Sequence, residues 1–256
     1  MSDPSGRFVW YELMSTDLAA ARAFYDQVVG WKAVDSQMSG MDYWMFTAGE
    51  QPVAGLMTLP DDARKAGTPP SWVGYVAVAD VDAAAAKVTA TGGTVHVPPT
   101  DIPNVGRFAI VADPQGAALG LFKSAHPDQD QPPQQDAPGR VGWHELYASD
   151  AASDFDFYAG LFGWQKKDSM DMGEMGVYQV FGTADTTLGG MMNKPPMVPV
   201  ANWHYYFNVG NIDQAAERVR SAGGQVVLGP QEVPGGSFIL MGVDPQGALF
   251  ALLGSR

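Results

Sequence analysis

Two short runs, WYELMSTD at residues 10–17 and WHELYASD at 143–150, set a Trp, a Glu and an Asp at one spacing. Side chains alternate along an extended strand. Trp10 therefore shares a face with Glu12, and Trp143 with Glu145, while Tyr11 and His144 point the other way. A carboxylate held beside an indole can accept a ligand's hydrogen bond or orient a base. Two further runs, SWVGYVAV from 71 and NWHYYFNV from 202, supply Trp72 and Tyr75, then Trp203, His204 and Tyr206. Of these, His204 is the group suited to exchanging a proton near neutral pH. The absence of cysteine excludes a disulfide frame, a thiolate metal site and a Cys nucleophile together.

These residues recur because the chain repeats. An offset of 133 places Trp10 on Trp143, Glu12 on Glu145, Asp17 on Asp150, Phe24 and Tyr25 on Phe157 and Tyr158, and Gly30 and Trp31 on Gly163 and Trp164. From Trp72 the offset is 131, carrying Tyr75 onto Tyr206 and the DPQG at 113–116 onto that at 244–247, as one two-residue deletion would produce. A long unit present twice is a duplicated domain, not a solenoid. The stretch between the copies is rich in Pro, Gln and Asp, so the expected division is a first domain at 1–124, a linker at 125–139 and a second domain at 140–256.

Within each copy the hydrophobic period changes in a fixed order. FVWYEL alternates as a strand, Asp17 stands at an N-cap, Leu18, Ala21, Tyr25 and Val28 form a helical stripe, and Gly30 supplies the stop. A second round runs from YVAVAD, with Asp80 or Asp82 as cap and Val81, Ala84 and Val88 as stripe, through Gly92 and Gly93 to three more strands.

Composition bounds the partners. With 256 residues, 46% apolar and 11% aromatic, the chain can fill a real core. Its formal charge of −13, from 28 acids against 15 bases, opposes a phosphate backbone or an anionic membrane face, so neither nucleic acid nor membrane is an expected partner. The first residues lack a signal peptide's basic start and apolar run, and no stretch nears the roughly 20 apolar residues that span a bilayer. A cytoplasmic protein is expected.

The order of these motifs, a strand ending L-x-x-x-D, a helix carrying F-Y and ending G-W, a strand running into D-V-D and a D-P-x-G turn, resembles the vicinal oxygen chelate superfamily. This is the glyoxalase, bleomycin-resistance and extradiol dioxygenase group, and the likeness is to its two-domain, hydroxylase-labelled members over nearly all of 7–123 and 140–254. The resemblance implies an α+β fold, a tandem pair of glyoxalase-like domains, each of two βαβββ units forming a half-open barrel whose concave face binds ligand. Active members hold a divalent metal through strand one, the first strand of the second unit and a Glu on the last strand. Those positions here are Trp10, Val73 and Gly120, then Trp143, His204 and Ala251, so only His204 could ligate. Metal sites generally offer three protein ligands, so neither metal nor other cofactor is expected.

Under that fold Glu12 and Glu145 each enter a cup. An enclosed Glu is costly unless paired or used, which leaves either ligand contact or a bond to a neighbouring hydroxyl or Trp N–H. His204 and Tyr206 face inward, and His204, with Glu145 to orient or discharge it, forms the catalytic candidate. Trp10, Trp72, Tyr75, Trp143, Trp203 and Tyr206 would be ligand-binding walls or else plain core. Trp31 and Trp164 suit core or an interface, His144 suits packing with a polar tip, and DPQG is only a turn. The leading reading is a glyoxalase or bleomycin-resistance-like protein that binds a small metabolite without the metal triad. The alternatives are a lyase or isomerase of glyoxalase type using an irregular metal site, an oxidoreductase-like member, and a resistance protein sequestering a cationic drug. Oligomeric state stays open, as does whether cups form within or across halves.

Overall fold

Period-two runs become strands, and the stripes behind them become helices, throughout the computed structural model, which describes residues 5–38, 40–127 and 135–256. The first module is β1 (Phe8–Ser15), α1 (Leu18–Val29), β2 (Lys32–Asp35), β3 (Tyr43–Ala48) and β4 (Gln51–Thr58). A short α2 (Asp61–Lys65) precedes the second module: β5 (Ser71–Ala77), α3 (Val81–Ala90), β6 (Thr94–Ile102), β7 (Gly106–Ala112) and β8 (Ala118–Ser124). The third is β9 (Val141–Ala148), α4 (Ala151–Phe162), β10 (Gln165–Asp171), β11 (Val177–Gly182) and β12 (Thr187–Asn193). The fourth is β13 (Asn202–Asn211), α5 (Ile212–Ser221), β14 (Gln225–Glu232), β15 (Phe238–Val243) and β16 (Leu249–Ser255).

Local chemistry sets the helix ends. The Asp17 carboxylate accepts from Ala20 N, Asp150 from Ala152 and Ser153 N, and Asp80 from Ala83 N, each satisfying a first-turn donor that has no partner inside its helix. Asp82 is left to pair with Arg107 instead. Helix α1 stops at Gly30, whose φ of 89° is the left-handed conformation a residue without Cβ adopts freely. The α1 stripe is Ala21, Phe24, Tyr25 and Val28, and α3 buries Ala85 where the sequence pattern pointed to Ala84.

The strands form two eight-stranded mixed sheets, ordered β2-β3-β4-β1-β5-β8-β7-β6 and β10-β11-β12-β9-β13-β16-β15-β14. Both are open, not closed barrels, with β2 and β6, or β10 and β14, as edges. The chain thus carries two tandem α+β repeats, each with an eight-stranded mixed sheet, as the resemblance implied. One detail of the repeat changes. Glu12 pairs with Gly55 and Glu145 with Gly190, so at β4 and β12 the offset is 135 (190 less 55), not 133. Two residues are gained before β12, and four are lost where the first repeat carries α2.

The compact units are not the repeats. One unit comprises the described residues of Met1–Val9, Val73–Pro133 and His144–Trp203, and the other those of Trp10–Trp72, Gln134–Trp143 and His204–Arg256. Each therefore joins one module of the first repeat to one of the second. In the second unit, Trp31 packs against Tyr25, Phe46, Trp72 and Phe207 with ring centroids 4.8–5.9 Å apart, and its indole N–H donates to the Gly139 carbonyl at 2.8 Å. In the first unit, Trp164 packs against Tyr158, Phe162, Phe181, Trp203 and Phe8, and donates to the Gly6 carbonyl at 2.6 Å. Trp31 and Trp164 are core, as their place after a helix stop suggested.

Of the expected linker, residues 128–134 lie outside the described residues. Its end is anchored: the Asn208 side chain donates to the carbonyls of Gln135 and Ala137, and the backbones of Gly139, Arg140 and Asn208 exchange two hydrogen bonds.

Candidate functional site

Alternation divides the aromatic residues more sharply than their types suggest. On β5, Trp72 lies three positions from Tyr75 and so takes the opposite face. Trp72 enters the aromatic core of its unit and donates from Nε1 to the Tyr25 hydroxyl at 2.8 Å, and that hydroxyl donates to Asp244 Oδ2 at 3.2 Å. The other unit repeats the arrangement: Trp203 Nε1 donates to Tyr158 at 3.0 Å, and Tyr158 to Asp113 Oδ2 at 2.8 Å. Trp72 and Trp203 are thus committed to core hydrogen bonds. The F-Y and DPQG motifs, separate in the sequence reading, are the two ends of one joint, which gives DPQG a role beyond its turn.

The face shared by Trp10 and Glu12 holds a different set. Trp10 Nε1 donates to the Tyr43 hydroxyl at 3.1 Å, and Tyr43 hydrogen-bonds the Glu12 carboxylate. Tyr43 reaches across from β3 because its cross-strand neighbourhood includes Gly55, where a Cβ would fall on the Tyr43 hydroxyl. Gly190 plays the same part in the second repeat, its side-chain space filled by the Tyr178 ring. There Tyr147, on the same strand, hydrogen-bonds Glu145, which is 6% exposed. Burial, and then the carboxylate's charge, hold both the Tyr43 and Tyr147 phenols well above their ordinary range, so each remains a proton-bearing donor.

Each Glu is therefore bonded to a neighbouring hydroxyl, one of the two arrangements expected of it. Tyr43, Tyr147 and Tyr178 were missed by sequence reasoning. The glycines at 55 and 190, opposite each Glu, were the signal that could have found Tyr43 and Tyr178.

His144 is core: it is 1% exposed, stacks on Phe8 at 3.9 Å and 10°, and donates from Nδ1 to the Leu188 carbonyl at 2.6 Å. His204 is 5% exposed. Burial pushes both imidazoles down to about 4, which favours the neutral form of His204 in this fold. Glu145 belongs to one unit, and His204 and Tyr206 to the other.

The donor set does not fit a divalent metal. At Gly120, where the resemblance places a ligating Glu, a Cβ would fall within the Tyr75 ring, so that ring takes the ligand's space. The matching Ala251 pairs with Tyr206. Among the described residues there is no group of three or more His, Cys, Asp or Glu placed to hold an ion.

Comparison with known proteins agrees with this architecture. The family described as Glyoxalase/Bleomycin resistance protein/Dioxygenase superfamily matches residues 7–121 and 140–252. The chain belongs to that superfamily. It is 36% identical over 248 residues to CFP32 of Mycobacterium tuberculosis, provisionally named a glyoxylase, covering 95% of this chain and 93% of the relative. It is 30% identical over 264 residues to the anthracycline biosynthesis protein DnrV of Streptomyces peucetius, covering 98% and 94%. Solved structures sharing the fold include the Mn(II)-bound glyoxalase of Novosphingobium aromaticivorans, with TM-score 0.62, 20% identity and coverage of 97% and 81%. The 2,3-dioxygenase LapB of Pseudomonas sp. KL28 gives TM-score 0.67 at 13% identity, covering 100% and 94%.

Proposed function

We propose that this protein binds a small, aromatic or carbonyl-bearing metabolite at the carboxylate–phenol pairs of its two first strands, without the divalent metal of the family's enzymes. The observation carrying the reading is the Trp10–Tyr43–Glu12 chain, an acceptor, a donor and an aromatic wall on one face. Such a face orients a ligand's hydroxyl or carbonyl while the indole covers its apolar body. The name of DnrV, an anthracycline biosynthesis protein, supports an aromatic ligand. In this reading residues 1–124 and 140–256 are the domains, joined by 125–139, and the protein acts in the cytoplasm. His204 and Tyr206 act as neutral hydrogen-bonding groups. Trp143 and Tyr75 add apolar contact.

The test is metal analysis of purified protein beside thermal-shift screens of divalent metals, polycyclic quinones and 2-oxoaldehydes. The expected result is substoichiometric metal and stabilisation by an organic ligand, weakened roughly tenfold or more by Glu12→Gln or Glu145→Gln, as loss of one buried polar partner implies. One Zn, Ni, Fe or Mn per chain, lost on His204→Ala, would overturn it in favour of a metal-dependent lyase.

A further inference from the structure

Asp154 lies in the first turn of α4, 1% exposed, and its Oδ2 has no hydrogen-bond partner among the described residues. A charged carboxylate so enclosed is among the costliest groups a fold can carry, whereas the neutral acid is tolerated. What surrounds it is acidic or neutral. From the turn between β7 and β8 comes Asp113, also buried, its Oδ1 accepting from the backbone of Gln115 and Ala117 and its Oδ2 from Tyr158. The Gln115 side chain from the same turn hydrogen-bonds Asp154. The helix itself adds the cap Asp150 and Tyr158.

Among the described residues no cation of the neighbouring elements forms an ion pair with Asp154. On α3, Asp82 pairs with Arg107, and the Lys87 ammonium is spent on the Gly160 carbonyl. On β12, Asn193 accepts from Ala151 N, and the following Lys194 donates to the Val198 carbonyl. The other repeat makes the comparison. At the matching place in α1 stands Ala21, fully buried, on the helix whose Tyr25 makes the corresponding bond to Asp244. The second carboxylate is an addition to one unit only.

We propose that Asp154 is a proton-operated latch: seated as the neutral acid it lets α4 pack on the Asp113 turn, and losing its proton loosens that seat in its own unit alone. The strain falls on the carboxylate beside Tyr158, and therefore on the Trp203–Tyr158–Asp113 chain. Burial first, and then the Asp113 charge, push the Asp154 carboxyl up to about 8 from 3.8. The sign follows. Unfolded chains release this proton near 3.8 and the folded unit near 8, so the contribution to stability is whole below the lower value, declines across the interval, and is gone above the upper one.

The test follows thermal unfolding and tryptophan emission of the full chain from about pH 5 to about pH 9. The wild type should lose melting temperature toward the alkaline end and show an emission change centred near pH 8. In Asp154→Asn both should be absent, and the variant should be the more stable protein at the alkaline limit. Should the amide fail to fold, Asp154→Ala, which copies Ala21, serves in its place, and carboxyl titration of the wild type by NMR should show one Asp ionising near pH 8. Parallel pH curves for wild type and variant, or no aspartate ionising above pH 6 or so, would overturn the proposal.

Discussion

Glu12 and Glu145 are retained on the sheet face because a phenol answers each carboxylate. Removing that donor strands the acceptor, so Tyr43→Phe should cost about 1 to 3 kcal/mol in urea unfolding. It removes the acceptor of Trp10 as well as the donor to Glu12. Tyr158→Phe should cost a similar amount for the same reason, since it strands both Trp203 Nε1 and Asp113 Oδ2. A Tyr158→Phe protein as stable as wild type would show that neither bond matters. The buried imidazoles add an acid limb. Both are held near 4 in the fold against 6.5 unfolded, so their contribution is complete above 6.5 and lost as pH falls through 4. Together with the alkaline loss from Asp154, the contribution of these groups should peak near pH 6.5, and a melting-temperature profile checks it. Which residues would touch one another was only partly legible at this scale. The repeat pointed to Glu12 and Glu145 at once, because they recur at a fixed offset, but Tyr43 and Tyr147 declare themselves only when the strands are paired.

Among the elements, what a few neighbouring residues decide was largely legible, with the α3 cap left between Asp80 and Asp82 and Ala84 read where Ala85 is buried, and what pairing decides was not. Asp17, Asp80 and Asp150 cap their helices because a short side chain needs only the next turn to bond. Replacing Asp17 or Asp150 with Ala should each cost about 0.5 to 2 kcal/mol, measured by denaturant unfolding, and a double variant should be near additive because the caps belong to different units. Trp72 shows the other case. Its type suggested a cup wall, but it is an odd number of positions from Tyr75 on one strand, and the face it takes is set by the Tyr25 hydroxyl. The offset of 135 at Gly55 and Gly190 was hidden likewise, since flanking motifs realign after the insertion and the deletion.

For the whole molecule, the duplication was plain in the letters, but the way its four modules group was not. No local pattern states that Tyr25 will find Asp244 or that Trp31 will find Gly139, partners more than a hundred positions away. A fragment of residues 1–124 should therefore lack the cooperative melting of the whole chain, and mixing it with 135–256 should restore a single transition by circular dichroism. Two fragments that each melt cooperatively as monomers would contradict this.

The same pairing imposes a calendar on synthesis. The first unit can close once Trp203 has been made, whereas the second waits for Asp244 and Phe250, and Asp244 follows its partner Tyr25 by 219 positions. Tyr25 and Trp31 can meet each other and Phe46 early, but they wait for Phe207, Asp244 and Phe250 to cover them, a long exposure of aromatic surface of the kind that chaperones shelter.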